Sequence, residues 1–83
     1  MKTTNNPSEF KATLLKTTRV IFQSDELRVE ARKVHNGDRR RNFQLKYYRL
    51  AGNVWQDFST FVSNTVVECL NDIDYQFKIF KVV

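Results

Sequence analysis

One histidine, His35, and one cysteine, Cys69, are all the chain holds of the residues that most often serve as nucleophile, general base or soft metal ligand. A cysteine–histidine pair also needs a third group to orient the base, and Cys69 falls on an apolar stripe where a free thiol packs as a small hydrophobe. Asp72 and Asp74 stand two apart, but two carboxylates without a histidine or a glycine loop fall short of a metal site. With only two glycines, Gly37 and Gly52, no phosphate-cradling loop of the Walker or dinucleotide type can be written. The sequence therefore predicts no enzyme, no metal and no cofactor.

The residues with a use are cations interleaved with rings. Residues 1–50 hold twelve Lys/Arg against five Asp/Glu, about +7, and residues 51–83 hold two against four, about −2, which together give the chain's +5. Arg28 and Arg32 lie two pleats apart on one strand face, roughly 13 Å at ~3.3 Å per residue. That is near two phosphate repeats of an extended single strand. Glu30 sits between them and is suited to cross-strand pairing. Arg39-Arg40-Arg41 follows an Asn-Gly turn, and so much like charge has no folding benefit. Exposed aromatics beside such cations form a platform worth roughly 1–3 kcal/mol per stacked base.

These side chains need a sheet to hold them. Residues 1–11 read as a flexible arm, although Asn6-Pro7-Ser8-Glu9 also suits the cap of a short helical turn. From Ala12 the character turns to β, with Leu14–Gln23 rich in β-branched and large apolar residues. Ser24-Asp25-Glu26 breaks this run. Leu27–Val34 then alternates strictly, Leu27, Val29 and Ala31 against Arg28, Glu30 and Arg32. Asn42–Leu50 is a third strand whose two faces are both partly apolar, so either one suits the core. Ala51-Gly52-Asn53 ends the sheet run. Beyond it Trp55, Phe58, Phe61, Val62, Val66 and Leu70 recur at three- and four-residue steps, which predicts one long helix to Ile73 capped by Asn53. Its wide apolar stripe suits a second subunit's helix. Residues 74–83 alternate again, as a fourth strand or tail.

Taken together, Val29-Glu30-Ala31-Arg32, the basic loop, and Leu50 five residues before Trp55 resemble the positive cofactor four family of transcriptional coactivators. Arg19-Val20 is similar to the start of that family's first strand, and Phe58 and Val62 fall where its helix is apolar. The hairpin tip differs, reading Gln23-Ser24-Asp25-Glu26 where the family has aromatic-Lys-Gly. The resemblance spans roughly residues 19–73. It implies a curved antiparallel sheet of four strands followed by a helix, dimerised through the helices, with single-stranded DNA or melted duplex along the sheet. By it Arg32 matches a DNA-contacting arginine on strand two, Arg19 one on strand one, and Arg39-Arg40-Arg41 the basic loop.

The expectation is thus an α+β domain over residues 12–73, with three to four antiparallel strands, one long amphipathic helix and an optional C-terminal strand. Its function is sequence-independent binding of single-stranded DNA in transcription, replication or recombination. Arg19, Arg28, Arg32, Arg39, Arg40, Arg41 and Lys46 contact phosphates, and Phe22 and Tyr48 stack bases. Trp55, Phe58, Phe61, Val62, Val66 and Leu70 form a homodimer seam. No apolar run approaches the ~20 residues that span a bilayer, so the expected location is cytoplasmic, nucleoid-associated or nuclear. The alternative is a small interaction module, an inhibitor or adaptor, docking an acidic protein.

Overall fold

The computed structural model describes residues 2–14, 16, 19–35 and 41–82. The chain is α+β, in the order β1 (Lys2–Thr4), α1 (Pro7–Leu14), β2 (Arg19–Gln23), β3 (Leu27–His35), β4 (Arg41–Ala51), β5 (Val54–Ser63) and α2 (Val66–Ile79). The five strands form one sheet in sequence order. β1 runs parallel to β2, and β2 to β5 form an antiparallel meander.

Residues 2–11 are not a loose arm. β1 pairs with β2, and Asn6 caps α1, its Oδ1 accepting from the Glu9 N–H at 3.1 Å with Pro7 in the first helical position. Phe10 is fully buried, so the arm contributes a core ring. The first long strand starts later than expected, at Arg19, because residues 12–14 close α1. At the β2–β3 turn the Ser24 N–H donates to the Leu27 carbonyl at 2.8 Å, and the Ser24 hydroxyl accepts from the Leu27 N–H at 3.2 Å.

The largest correction concerns residues 54–73. No long helix starts at Asn53. Gly52, at φ +64°, and Asn53 form the two-residue turn of a hairpin, and Val54–Ser63 returns as a strand. A glycine with positive φ at the first turn position suits the right-handed twist of the strands it joins. The helical spacing of Trp55, Phe58, Phe61 and Val62 arises from a β-bulge. Tyr47 pairs with Ser59 but Tyr48 pairs with Asp57, which leaves Phe58 as the extra residue. Trp55 lies outward before the bulge and Val62 outward after it, while Phe58 and Phe61 pack inward. Large apolar residues on both faces, with one residue inserted, imitate a period of three to four.

The true helix begins later. Thr65 caps α2, its hydroxyl accepting from the Glu68 N–H at 3.4 Å, while the Ser63 hydroxyl donates to Glu68 Oε2 at 2.5 Å. Thr65 with Glu68 three residues on is the capping-box pattern in the sequence, but the reciprocal contact runs through Ser63, whose hydroxyl accepts from the Thr65 N–H at 3.1 Å. α2 runs through the segment expected as a fourth strand, since Cys69, Ile73, Gln76 and Phe77 share its buried face. Val82 N–H to Phe77 carbonyl at 2.8 Å and Lys81 N–H to Lys78 carbonyl at 3.3 Å close a Schellman motif. Lys81 takes the left-handed position there, at φ 56°. Because a Cβ is strained in that region, Lys81→Gly should raise stability by about 0.5–1 kcal/mol in urea unfolding.

Both helices cover one face of the sheet. The core joins Phe10 and Leu14 of α1, Val20 and Phe22 of β2, Leu27, Val29 and Ala31 of β3, Leu45 and Tyr47 of β4, and Cys69, Ile73 and Phe77 of α2. Strand four's inner face is therefore Leu45/Tyr47, which settles the choice the sequence left open. An ion pair between Lys11 and Asp74 ties α1 to α2. Asp74 is thus a solvated surface charge that also pairs with Lys11.

Candidate functional site

Among the described residues no helix lies on the other face of the sheet. Strand register and alternation place its side chains in rows. Arg19 lies opposite Arg32, then come Gln44 and Val62. The next row is Ile21, Glu30, Lys46 and Thr60. Gln23, Arg28, Tyr48 and Asp57 follow, and Leu50 with Trp55 completes the face. Four cations thus stand on it against two acids, Glu30 and Asp57.

Glu30 organises the middle. Its Oε1 accepts from Arg28 Nη2 at 3.4 Å and its Oε2 from the Tyr48 hydroxyl at 3.2 Å, while Arg28 Nη1 donates to Gln23 Oε1 at 2.7 Å. The Lys46 ammonium sits 6.0 Å from the centre of the Tyr48 ring. Partial burial raises the Tyr48 phenol above its ordinary value and the Glu30 carboxylate adds to the rise, so the ring keeps its proton and its hydrogen bond. Arg28 and Tyr48 are therefore held in place by an acid.

Arg19 and Arg32 face each other. Both are exposed and directly opposed across β2 and β3, an arrangement of like charges that costs roughly 0.2–1 kcal/mol in a sheet. Among the described residues no side chain bonds to the Arg32 guanidinium. The expected phosphate ligands Arg19, Arg28, Arg32 and Lys46, with the ring of Tyr48, all share this face.

Two other expectations, for Phe22 and for the dimer seam, are corrected. Phe22 is 0% exposed, with its ring centroid 4.7 Å from that of Phe77 and 5.8 Å from that of Phe10. It belongs to the core and stacks on no base. Arg39 and Arg40 lie outside the described residues, as does the Asn-Gly turn, and Arg41 opens β4. The six residues of the expected dimer seam form no single stripe. Trp55 and Val62 face outward on β5, Phe58 and Phe61 face inward on the same strand, and Val66 and Leu70 pack from α2 onto the core. The sequence reading missed Trp55 as a ring of the open face. It is half-buried beside Leu50, on the diagonal from Tyr48 that aromatic side chains can reach.

On the covered side, the Tyr47 hydroxyl and Asp72 Oδ2 are both buried, and among the described residues neither has a partner in good hydrogen-bond geometry. Burial pushes the Tyr47 phenol far up, and the facing Asp72 carboxylate adds to this. Burial also pushes the Cys69 thiol from 9.0 up to about 11, Asp72 and Glu68 contributing. Both groups are held protonated in the folded chain and ionise more readily once unfolded. The Cys69 contribution to stability is full below pH 9.0 and is lost as pH rises to about 11, while that of Tyr47 starts to fall only above 10.0 and continues to fall at higher pH. The urea midpoint should fall across that range. In Cys69→Ala the fall should start later, near the ordinary tyrosine value of 10.0. A midpoint that stays flat would contradict the assignment.

A cleft of about 440 Å³ lies between the β2–β3 turn and the end of α2, floored by Phe22, Phe80 and Val82 and rimmed by Asp25, Glu26 and Lys81. Its acidic rim is unsuited to the anions that the open face attracts. Among the described residues no group of three His, Cys, Asp or Glu side chains is placed to hold a metal ion, and no helix is long and apolar enough to cross a membrane. No family model matches the chain, and no curated protein or solved structure matches it.

Proposed function

We propose that the open face of the sheet binds single-stranded nucleic acid, DNA in the first instance, without regard to sequence. One observation carries the reading. Both helices cover one side of the sheet, and the bare side collects Arg19, Arg28, Arg32 and Lys46 beside Tyr48 and Trp55. A polyanion whose bases are unpaired can lay phosphates on the arginines and stack bases on the rings, and neither contact selects a base. Duplex DNA presents a curved backbone with its bases hidden and would meet only the cations. The pre-set Arg28–Glu30–Tyr48 group lowers the cost of ordering two of the contact side chains.

A relationship to the positive cofactor four coactivators belongs to the same proposal and is carried by the strand segment Val29-Glu30-Ala31-Arg32. Leu50 and Trp55, which the resemblance sets at a strand end and a helix start, face each other across the β4–β5 hairpin instead.

Fluorescence anisotropy with a labelled oligothymidylate over a salt series tests the reading. Each phosphate neutralised on a single strand contributes about −0.7 to the log–log slope, so four cations predict a slope of roughly −3. A duplex of equal length should bind more weakly at every salt concentration. Absence of binding at low salt, or a slope near zero, would end the proposal.

A further inference from the structure

The two edges of the sheet are finished differently. β1 is three residues long and includes Lys2. β5 runs ten residues with a single charged side chain, Asp57, and no proline, and no described segment pairs along its outer side. Val54, Phe58 and Val62 along it are 61%, 40% and 56% exposed. Unpaired N–H and C=O groups on a long edge invite another strand, and sheets usually blunt such edges by shortness, lysine or proline. β1 is blunted in that way. β5 is not.

We propose that two copies of the chain pair through β5, antiparallel about a twofold axis normal to the sheet, with Val54 opposite the partner's Ser63. The bulge at Phe58 selects this register. In an unbroken strand successive residues face opposite sides, so self-pairing keeps like faces together only when the paired numbers are both odd or both even. One such register would set Asp57 against itself. In β5 the extra residue reverses the alternation midway, so Trp55 and Asp57 face outward before the bulge and Thr60 and Val62 after it. Pairing over the full ten residues then sets Trp55 against the partner's Val62 and Asp57 against the partner's Thr60 on the open face. Gln56 meets the partner's Phe61 on the covered face. The backbone groups that point away from β4 shift by the same one residue, and so they match as well.

The pairing separates the charges. Asp57 meets a hydroxyl, and the two aspartates lie about 10 Å apart along the strands. The cations stay on β2, β3 and β4, away from the axis. An exposed valine gains a tryptophan neighbour on each side of that axis. The result is one ten-stranded sheet whose two open faces join. The pairing itself stands on strand geometry and not on the nucleic-acid reading.

Light scattering at about 100 µM, where even a weak association is populated, should give twice the chain mass of 9.9 kDa. Val62→Lys should return the mass to 9.9 kDa with an unchanged thermal melt. The double variant Asp57→Cys/Thr60→Cys should form a disulfide-linked dimer on oxidation. Within one chain those positions are about 10 Å apart and cannot bridge, and the native Cys69 is buried. Asp57→Cys alone should remain unlinked. A monomeric parent at that concentration overturns the proposal, as does a single variant that links as readily as the double one. Oligonucleotide binding separates the two readings: a linked dimer that binds none sinks the functional proposal alone, and a monomeric parent that binds sinks the pairing alone.

Discussion

Phe22→Ala should cost about 3–5 kcal/mol, the usual toll for removing a buried ring. A domain of 83 residues has roughly 4–12 kcal/mol in total, so the variant should lose a large part of its stability. Phe22 is fully buried, and its ring contacts reach α1 through Phe10 and α2 through Phe77. Such tilted ring pairs add about 0.5–1.5 kcal/mol beyond the area they bury. Urea unfolding followed by Trp55 fluorescence measures the loss, and a cost below about 1 kcal/mol would contradict the placement. Phe22→Leu keeps most of the volume and should stay folded. Such a variant should bind oligonucleotide as tightly as the parent, which a stacking role for Phe22 would not allow.

Arg32→Glu should move binding and stability in opposite directions. Loss of one charge-assisted phosphate contact is worth about 2 kcal/mol, roughly thirtyfold in Kd at low salt, and the salt slope should shallow by about 0.7. Arg32 directly faces Arg19 across the β2–β3 ladder. A glutamate there replaces a repulsive pair with an attractive one, which should raise stability by up to about 1 kcal/mol. A variant that is both more stable and a weaker binder identifies a position kept for a ligand rather than for the fold. A variant that binds as well as the parent would remove Arg32 from the interface.

The central hairpin was legible because Leu27–Val34 alternates without interruption. That alternation alone placed Arg28, Glu30 and Arg32 together, and β3 runs Leu27–His35 as the pattern implies. Phe22 was not legible. Val20-Ile21-Phe22 is an unbroken apolar run that fixes no face, and Ile21 is buried on the side opposite the core cluster. β5 was misread for a related reason, since an inserted residue at Phe58 converts a period of two into apparent steps of three and four. The start of α2 was available in Thr65 and Glu68, but a helix already drawn through that segment hid it. Tertiary pairing decided Val54–Ser63, as the β-branched Thr60 and Val62 suggest.

The ring cluster of Phe10, Phe22 and Phe77 also sets an order of events in folding. The meander from β2 to β5 pairs neighbour with neighbour and can zip as it leaves the ribosome. Phe77 arrives last, and until it does the apolar rows of β3 and β4 lack the cover of α2 and only α1 packs on β2. The nascent sheet is then exposed on one face and along its β5 edge at once, the condition under which neighbouring chains associate wrongly. Helix α2 therefore acts as a closing latch in time as well as in space, and slowed synthesis over its last two turns should lower the soluble yield.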